Sequence, residues 1–326
     1  MILRTSWVTP SRLVTAALLL LLGLAPVYAA AFSEPFYLTL CGRIVVFALA
    51  ALSLNLILGY GGLVSFGHAL YLGIGAYAIG LMSFHGVTNG WAQLALALGA
   101  SALVGLVTGL VSLRTTGIAF IMITLAFAQM FYFLVVSLKP YGGDDGLPIE
   151  ARSDFGTLLN LADNLQRYYL AYALLLACLY GSYRVVRSRF GMVLRGSRLN
   201  ARRMRALGYP TVRYQLTAYV LSAMICALAG LLLANQTQFA SPAYMAWTVS
   251  GQLIVMVVLG GIGSVAGPVM GAVALLVMEE FLKGYTEHWM AILGPVIVVI
   301  ALLARRGLAG LLQAWDQRMG ANGGIQ

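Results

Sequence analysis

Arg184-Val-Val-Arg-Ser-Arg-Phe-Gly-Met-Val-Leu-Arg195-Gly-Ser-Arg-Leu-Asn-Ala-Arg-Arg-Met-Arg205-Ala-Leu-Gly-Tyr-Pro-Thr-Val-Arg213 holds nine of the chain's 20 Lys/Arg residues and no acid. The nine are Arg184, Arg187, Arg189, Arg195, Arg198, Arg202, Arg203, Arg205 and Arg213. Long apolar runs flank the stretch on both sides. Basic loops between membrane-crossing helices stay on the cytoplasmic side, so this island fixes the orientation of the spans around it. It is too long for a plain turn, which predicts a partner there.

The rest of the composition agrees. The 326 residues are 61% hydrophobic and 9% charged, with a mean hydropathy of +0.89. A soluble domain has about 25% charged residues. No soluble core hides this much apolar surface, so the chain reads as an all-α integral membrane protein. The net charge of +10 does not indicate nucleic acid, because the charges gather at the ends of apolar runs. Cys41, Cys178 and Cys226 lie inside apolar stretches and read as small buried hydrophobes.

A span needs about 20 mostly apolar residues. Ten stretches qualify, at roughly 12–32, 36–58, 68–84, 91–112, 117–138, 167–183, 214–235, 248–264, 266–282 and 289–304. The first resembles a secretory leader, with Arg4 and Arg12 before the apolar run and Ala29-Ala-Ala after it. It is read as a retained span, and a cleaved leader is the alternative. Either way Glu34 lies outside. With both termini inside, the inner segments carry Arg4, Arg12, Arg114, the island, Arg305, Arg306 and Arg318. The outer ones carry Lys139, Arg152, Arg167 and Lys283, and of the acids only Asp316 is inside. The whole chain, 1–326, reads as one transmembrane domain, with an inner loop at 184–213 and an outer loop at 139–166.

Two apolar regions are interrupted by glycine. The first break is Gly59-Tyr-Gly-Gly-Leu-Val-Ser65-Phe-Gly67, and the second is Gly260-Gly-Ile-Gly-Ser264-Val-Ala-Gly267-Pro268. One span across the second would put Arg305 and Arg306 outside, so it is read as two short elements. Non-helical backbone at membrane depth is tolerated only inside protein or along a cavity. Paired breaks in two halves point to an internal repeat and a central pathway. Close helix packing through glycine is the other reading, and both can hold.

The segment Leu58-Gly-Tyr-Gly-Gly-Leu-Val-Ser-Phe-Gly-His-Ala-Leu-Tyr-Leu-Gly-Ile-Gly-Ala-Tyr77 resembles the permease subunits of branched-chain amino acid ABC importers, of the LivM/LivH type and closer to LivM. Further likenesses follow in order: Gly117-Ile-Ala-Phe-Ile-Met-Ile-Thr-Leu-Ala-Phe-Ala-Gln129, Gly142-Gly-Asp-Asp-Gly-Leu147, Arg189-Phe-Gly191, Ala206-Leu-Gly208, Ala227-Leu-Ala-Gly230 and Val257-Val-Leu-Gly-Gly-Ile-Gly-Ser264 with Gly267. The resemblance covers about residues 38–310. It implies one half of a membrane channel, with a second homologous permease beside it. It also implies two cytoplasmic ATP-binding subunits that hold ATP and magnesium, and an external, periplasmic substrate-binding protein. The location would be the bacterial inner membrane. The resemblance places the ATPase-coupling element at about Arg195–Pro210. Family members usually carry acids just ahead of the Ala-x-Gly. This chain has Ser197-Arg-Leu-Asn-Ala-Arg-Arg-Met-Arg205 there, which calls for an acidic groove on the ATPase. Charge pairing of that kind sets specificity and association rate more than affinity.

The residues themselves say that this chain is not the ATPase. A phosphate-binding loop needs Gly-x-x-x-x-Gly-Lys-[Ser/Thr], and neither Lys139 nor Lys283 follows a glycine. Arg195, Arg198, Arg202 and Arg205 fall at i, i+3, i+7 and i+10, on one face of a helix. Gly208 and Pro210 stop that helix. With Arg203, these arginines and Gly208 form the candidate ATPase-docking surface. Anchoring to anionic membrane lipid is the plainer reading.

Candidates along a substrate path are Arg43, Ser65, His68, Gln129, Gln252 and Ser264. Arg43 lies roughly 10 Å into a span at 1.5 Å per residue. A charge at the helix centre costs about 2.5–3.5 kcal/mol. Outward snorkelling is the plain expectation, and a contact to a substrate carboxylate is the functional one. His68 reads as a helix-end histidine with a satisfied hydrogen bond, or as a pathway group. Glu279 and Glu280 read as solvated acids closing a span. With Asp144 and Asp145 of the acidic outer loop, they are the candidates for seating an external binding protein. The sequence shows no metal-ligand cluster and no nucleophile–base spacing. Trp91, Tyr168, Tyr169, Trp247 and Trp289 sit near span ends, as aromatic belts do. Rival functions are import of urea or amides by the same machinery, and a self-sufficient secondary transporter or channel. The scarcity of embedded carboxylates speaks against the second.

Overall fold

The computed structural model of the chain describes residues 10–31, 35–156, 161, 163–303 and 307–312. Arg4, Glu34, Arg305, Arg306, Asp316 and Arg318, which entered the orientation argument, lie outside the described residues.

Among the described residues, each of the ten apolar stretches contains a helix. In chain order the helices are α1 (Pro10–Ala31), α2 (Pro35–Asn55), α3 (His68–Phe84), α4 (Gly90–Ser112), α5 (Ile118–Ser137), α6 (Asn164–Arg187), α7 (Arg189–Ala206), α8 (Thr211–Thr237), α9 (Trp247–Gly260), α10 (Gly267–Tyr285) and α11 (Trp289–Leu303). The basic island supplies α7. Five helices are long and apolar enough to cross a membrane by length and composition: α2 with its extension to Tyr60, α4, α5, α6 and α8. α1, α3, α9 and α11 contribute shorter apolar stretches.

Helix starts follow local chemistry. Asn89 Oδ1 accepts from Trp91 N at 3.0 Å and caps α4. Asp163 Oδ1 accepts from Leu165 N at 3.0 Å and caps α6. Side-chain oxygens of this kind satisfy amide groups that a helix N-terminus leaves unpaired.

The core is built around α2. A helix that is apolar all round belongs inside, and 83% of the apolar window of α2 is buried, against 17% for α5. α2 packs on α8, α10, α6, α9 and α1, and α8 packs in turn on α3 and α4. The α3–α8 crossing is tight because both sides offer glycine. A Cβ at Gly75 would overlap the Ala227 carbonyl, and one at Gly230 would overlap the Leu72 carbonyl. α9 and α10 meet in the same way, through Gly260 and Gly271. Of these glycines Gly260 belongs to the second break, which therefore serves close packing as well.

The described part of the connection between α5 and α6 is folded onto the end of α8. Its strand β1 (Leu147–Pro148) pairs antiparallel with β2 (Phe239–Ala240), with Leu147 opposite Ala240. Ile149 N donates to the Gln238 carbonyl at 2.9 Å, and Ser153 N donates to Asn235 Oδ1 at 3.0 Å. Asp144 and Asp145 remain exposed on this loop.

Candidate coupling site and transport pathway

The two glycine breaks face each other. α2 leaves its regular geometry at Asn55 and makes one π turn, Leu56–Tyr60. π turns recur at functional sites. Residues 61–67 and 261–266 are not helical, so each break leaves backbone groups without helical partners. Asn55 supplies partners for the second break. Its Oδ1 accepts from Gly263 N at 3.1 Å, and its Nδ2 donates to the Ser264 carbonyl at 2.8 Å. Ser264 Oγ accepts from Gly267 N at 3.2 Å and closes the turn into α10. In the first break, Ser65 is buried and its Oγ accepts from Gly67 N at 3.2 Å. Ala69 N donates to Ser250 Oγ of α9 at 2.9 Å, tying the start of α3 to the other half.

α7 reaches this junction from the basic island. Arg198 Nη1 donates to the Gly59 carbonyl. The expected single face of arginines is not continuous, however. Asn200 has φ −158° and ψ 95°, which breaks α7 into two pieces. Asn200 Oδ1 then accepts from Arg203 N at 2.9 Å and starts the second piece. A short polar side chain that can bond its own backbone favours such an interruption over a helix interior. Arg195 and Arg198 thus belong to one piece, and Arg202, Arg203 and Arg205 to the other; all five side chains are exposed. α7 ends as Gly208 requires. Gly208 has φ +86°, its N–H donates to the Arg205 carbonyl at 2.9 Å, and Tyr209 N donates to the Met204 carbonyl at 3.1 Å. These are the two bonds of a glycine-terminated helix end. Exposed Leu199, Leu207 and Tyr209 lie among the arginines.

His68, the first residue of α3, is fully buried. Its Nε2 lies 3.2 Å from Ser53 Oγ and 3.0 Å from Ser222 Oγ. Its ring meets Tyr71 edge-on at 5.6 Å. The Tyr71 hydroxyl joins Thr108 Oγ1 at 2.8 Å and the Tyr219 hydroxyl at 3.1 Å. One polar seam therefore links α2, α3, α4 and α8 within the apolar core. Gln129 is half-buried on α5, and among the described residues it makes no hydrogen bond to the other candidates.

A second cluster lies farther along α2 and α10. Arg43 Nη2 is 3.3 Å from Glu279 Oε1, and Lys283 Nζ is 2.6 Å from the same oxygen. Gln252 Nε2 donates to Glu279 Oε2 at 3.1 Å. Arg43 is therefore paired across the helix interface, not left to snorkel outward alone. Glu279 is buried, 3% exposed, which corrects the expectation of a solvated helix-end acid. The correction has a simple cause: two cations and an amide from α2, α9 and α10 converge on its carboxylate, and a buried charge persists when so paired. Glu280 is partly exposed, 4.0 Å from Lys283.

Sequence reasoning missed Asn55, Ser53 and Ser222. The available signal was an amide and two hydroxyls inside otherwise apolar stretches. The described residues hold no group of three or more potential metal ligands.

A helical chain with membrane-capable spans, broken helices meeting in its core and a basic helix at the junction is a membrane permease. The chain belongs to the family described as branched-chain amino acid transport system / permease component, which it matches over residues 36–302. It is 28% identical over 287 residues to the high-affinity branched-chain amino acid transport system permease protein LivM of Salmonella typhimurium, covering 81% of this chain and 68% of that one. It is 27% identical to the protein of the same name from Escherichia coli, with the same coverage. No solved structure matches the chain.

Proposed function

We propose that this chain is one of two permease subunits forming the channel of a binding-protein-dependent ABC importer for branched-chain amino acids. The family match and the two LivM relatives support the class and the substrate. The observation that carries the mechanism is the contact of Arg198 with Gly59: the basic helix touches the break in α2 directly. In this reading the chain crosses the bacterial inner membrane ten times, with both termini and α7 on the cytoplasmic side. The chain binds no cofactor of its own. Two separate ATP-binding subunits hold ATP and magnesium and dock on α7 through Arg195, Arg202, Arg203 and Arg205. An external binding protein delivers substrate to the face carrying Asp144 and Asp145.

Alternating access then needs no chemistry from this chain. ATP-driven closure of the ATPases displaces α7, and the displacement reaches the two broken elements around the path. Glu279 is held by Arg43 and Lys283, so it is not a free carboxylate of the kind an ion-coupled carrier uses.

The test is purification of the tagged chain from its native membrane in mild detergent. The proposal predicts that a Walker-motif ATPase and a second permease come with it. Recovery of the chain alone, active for uptake in liposomes without ATP, would replace the proposal with a self-sufficient transporter.

A further inference from the structure

We infer that Asn55 is a positioning residue that holds the two glycine breaks together, and that Arg198 grips the same joint from α7, so that one movement of α7 reaches both breaks. The inference rests on the importer reading above.

Asn55 is fully buried and is the last residue of α2 before the π turn. Its amide carries the same donor and acceptor as a peptide group. It spends both on adjacent residues of the second break, Gly263 and Ser264. The side chain thereby stands in for the helical partner that the break removes. Without it, the Gly263 N–H and the Ser264 carbonyl would lose their side-chain partner.

The first break is shaped to admit this contact. A Cβ at Gly59 would overlap Asn55 Oδ1 and come within 2.7 Å of Gly263 N. Glycine at position 59 therefore lets the two breaks touch, which goes beyond letting the chain bend. The same Gly59 turns its carbonyl to Arg198 Nη1. A Cβ at Gly62 would sit 2.8 Å from Arg198 Cγ, so the arginine stem also lies along the first break. Two residues farther on, Asn200 bends α7. The joint thus has three parts: a guanidinium from the island, the carbonyl it holds, and an amide one helical turn earlier that holds the opposite half. All the bonds run to backbone atoms.

The test uses the complete transporter in liposomes, with both permeases, the ATPases and the binding protein. The quantity read is radiolabelled leucine imported per ATP hydrolysed. Four variants are compared: Asn55→Leu, which removes both bonds at similar size; Asn55→Asp, which keeps the acceptor for Gly263 and loses the donor to Ser264; Arg198→Gln; and Asn55→Leu with Arg198→Gln. The inference expects assembly and ATP hydrolysis to persist while import per ATP falls about tenfold in Asn55→Leu, the weight of one or two hydrogen bonds. Asn55→Asp should fall between. The double variant should be no worse than the worse single, because both act through one joint. Import per ATP unchanged in the singles, or losses that multiply in the double, would overturn it. Tyr168→Phe, which cuts a buried hydrogen bond from α6 to the Leu22 carbonyl of α1, controls for stability and should keep the ratio. If Asn55→Leu does not assemble, Asn55→Asp and the exposed Arg198→Gln carry the same comparison. An unaltered complex that imports no leucine on ATP would sink the importer reading together with this one. An unaltered complex that imports, with variants that match it, would sink this one alone.

Discussion

Arg43 on α2 and Glu279 on α10 form an ion pair, 3.3 Å apart, between two residues 236 positions apart in the chain. The pair is asymmetric. The Glu279 side chain is 5% exposed and the Arg43 side chain 36%, and Lys283 shares the carboxylate. Removing the acid leaves two cations facing each other, whereas removing Arg43 leaves Glu279 still paired with Lys283 and Gln252. Glu279→Gln is therefore expected to destabilise, by less than the full cost of breaking a buried pair, because both cations are about a third exposed. Arg43→Leu should cost clearly less. Thermal unfolding of the purified complex gives the order, and an equal or reversed order would refute this account of the cluster.

The α3–α8 crossing gives a sharper contrast. Gly75→Ala and Gly230→Ala each drive a methyl into a backbone carbonyl of the other helix, and backbone cannot swing aside. Both variants should lose most of the folded protein recovered after detergent extraction. Gly99 on α4 has open space where a Cβ would go. Gly99→Ala should therefore be neutral or stabilising by up to about 1 kcal/mol, the helix-propensity difference. Size-exclusion yield and unfolding temperature report both.

The exposed arginines of α7 lie on two helical pieces separated at Asn200. Arg202→Glu with Arg203→Glu reverses charge on the second piece of α7, beyond the Asn200 interruption. The expected result is weaker recovery of the ATPase with an intact permease. The unaltered complex should also lose ATPase as ionic strength rises, since exposed charge pairs are screened. Recovery insensitive to both would assign these arginines to lipid headgroups.

Asp144 and Asp145 are exposed on a loop anchored through β1 and Ile149. Asp144→Asn with Asp145→Asn should leave the unfolding temperature unchanged and weaken capture of the permease by immobilised binding protein. Unchanged capture would remove the acidic loop from that interface.

Helix positions were largely legible in the sequence, because a span about 20 residues long and almost uncharged has few other solutions. The separation of α9 from α10 followed from charge placement and glycine. Three features were not legible. Asn200 looked like one more helical residue between arginines, and only the folded backbone shows its side chain starting a second helical piece. Glu279 looked solvated because it sits near a helix end. Its partners Arg43 and Gln252 come from α2 and α9, and sequence spacing does not report contacts over that separation. Asn55 was passed over as one amide in an apolar run, although a polar side chain at membrane depth signals that a partner must exist.

The central claim, an ATP-driven permease subunit for branched-chain amino acids, is tested most directly by uptake of radiolabelled leucine into proteoliposomes. These would hold this chain with its co-purified permease and ATPase, with binding protein on one side and ATP on the other. The account predicts uptake that needs all components, stops when ATP is withheld and is unaffected by an uncoupler. Uptake that persists without ATP and collapses with the uncoupler would contradict it.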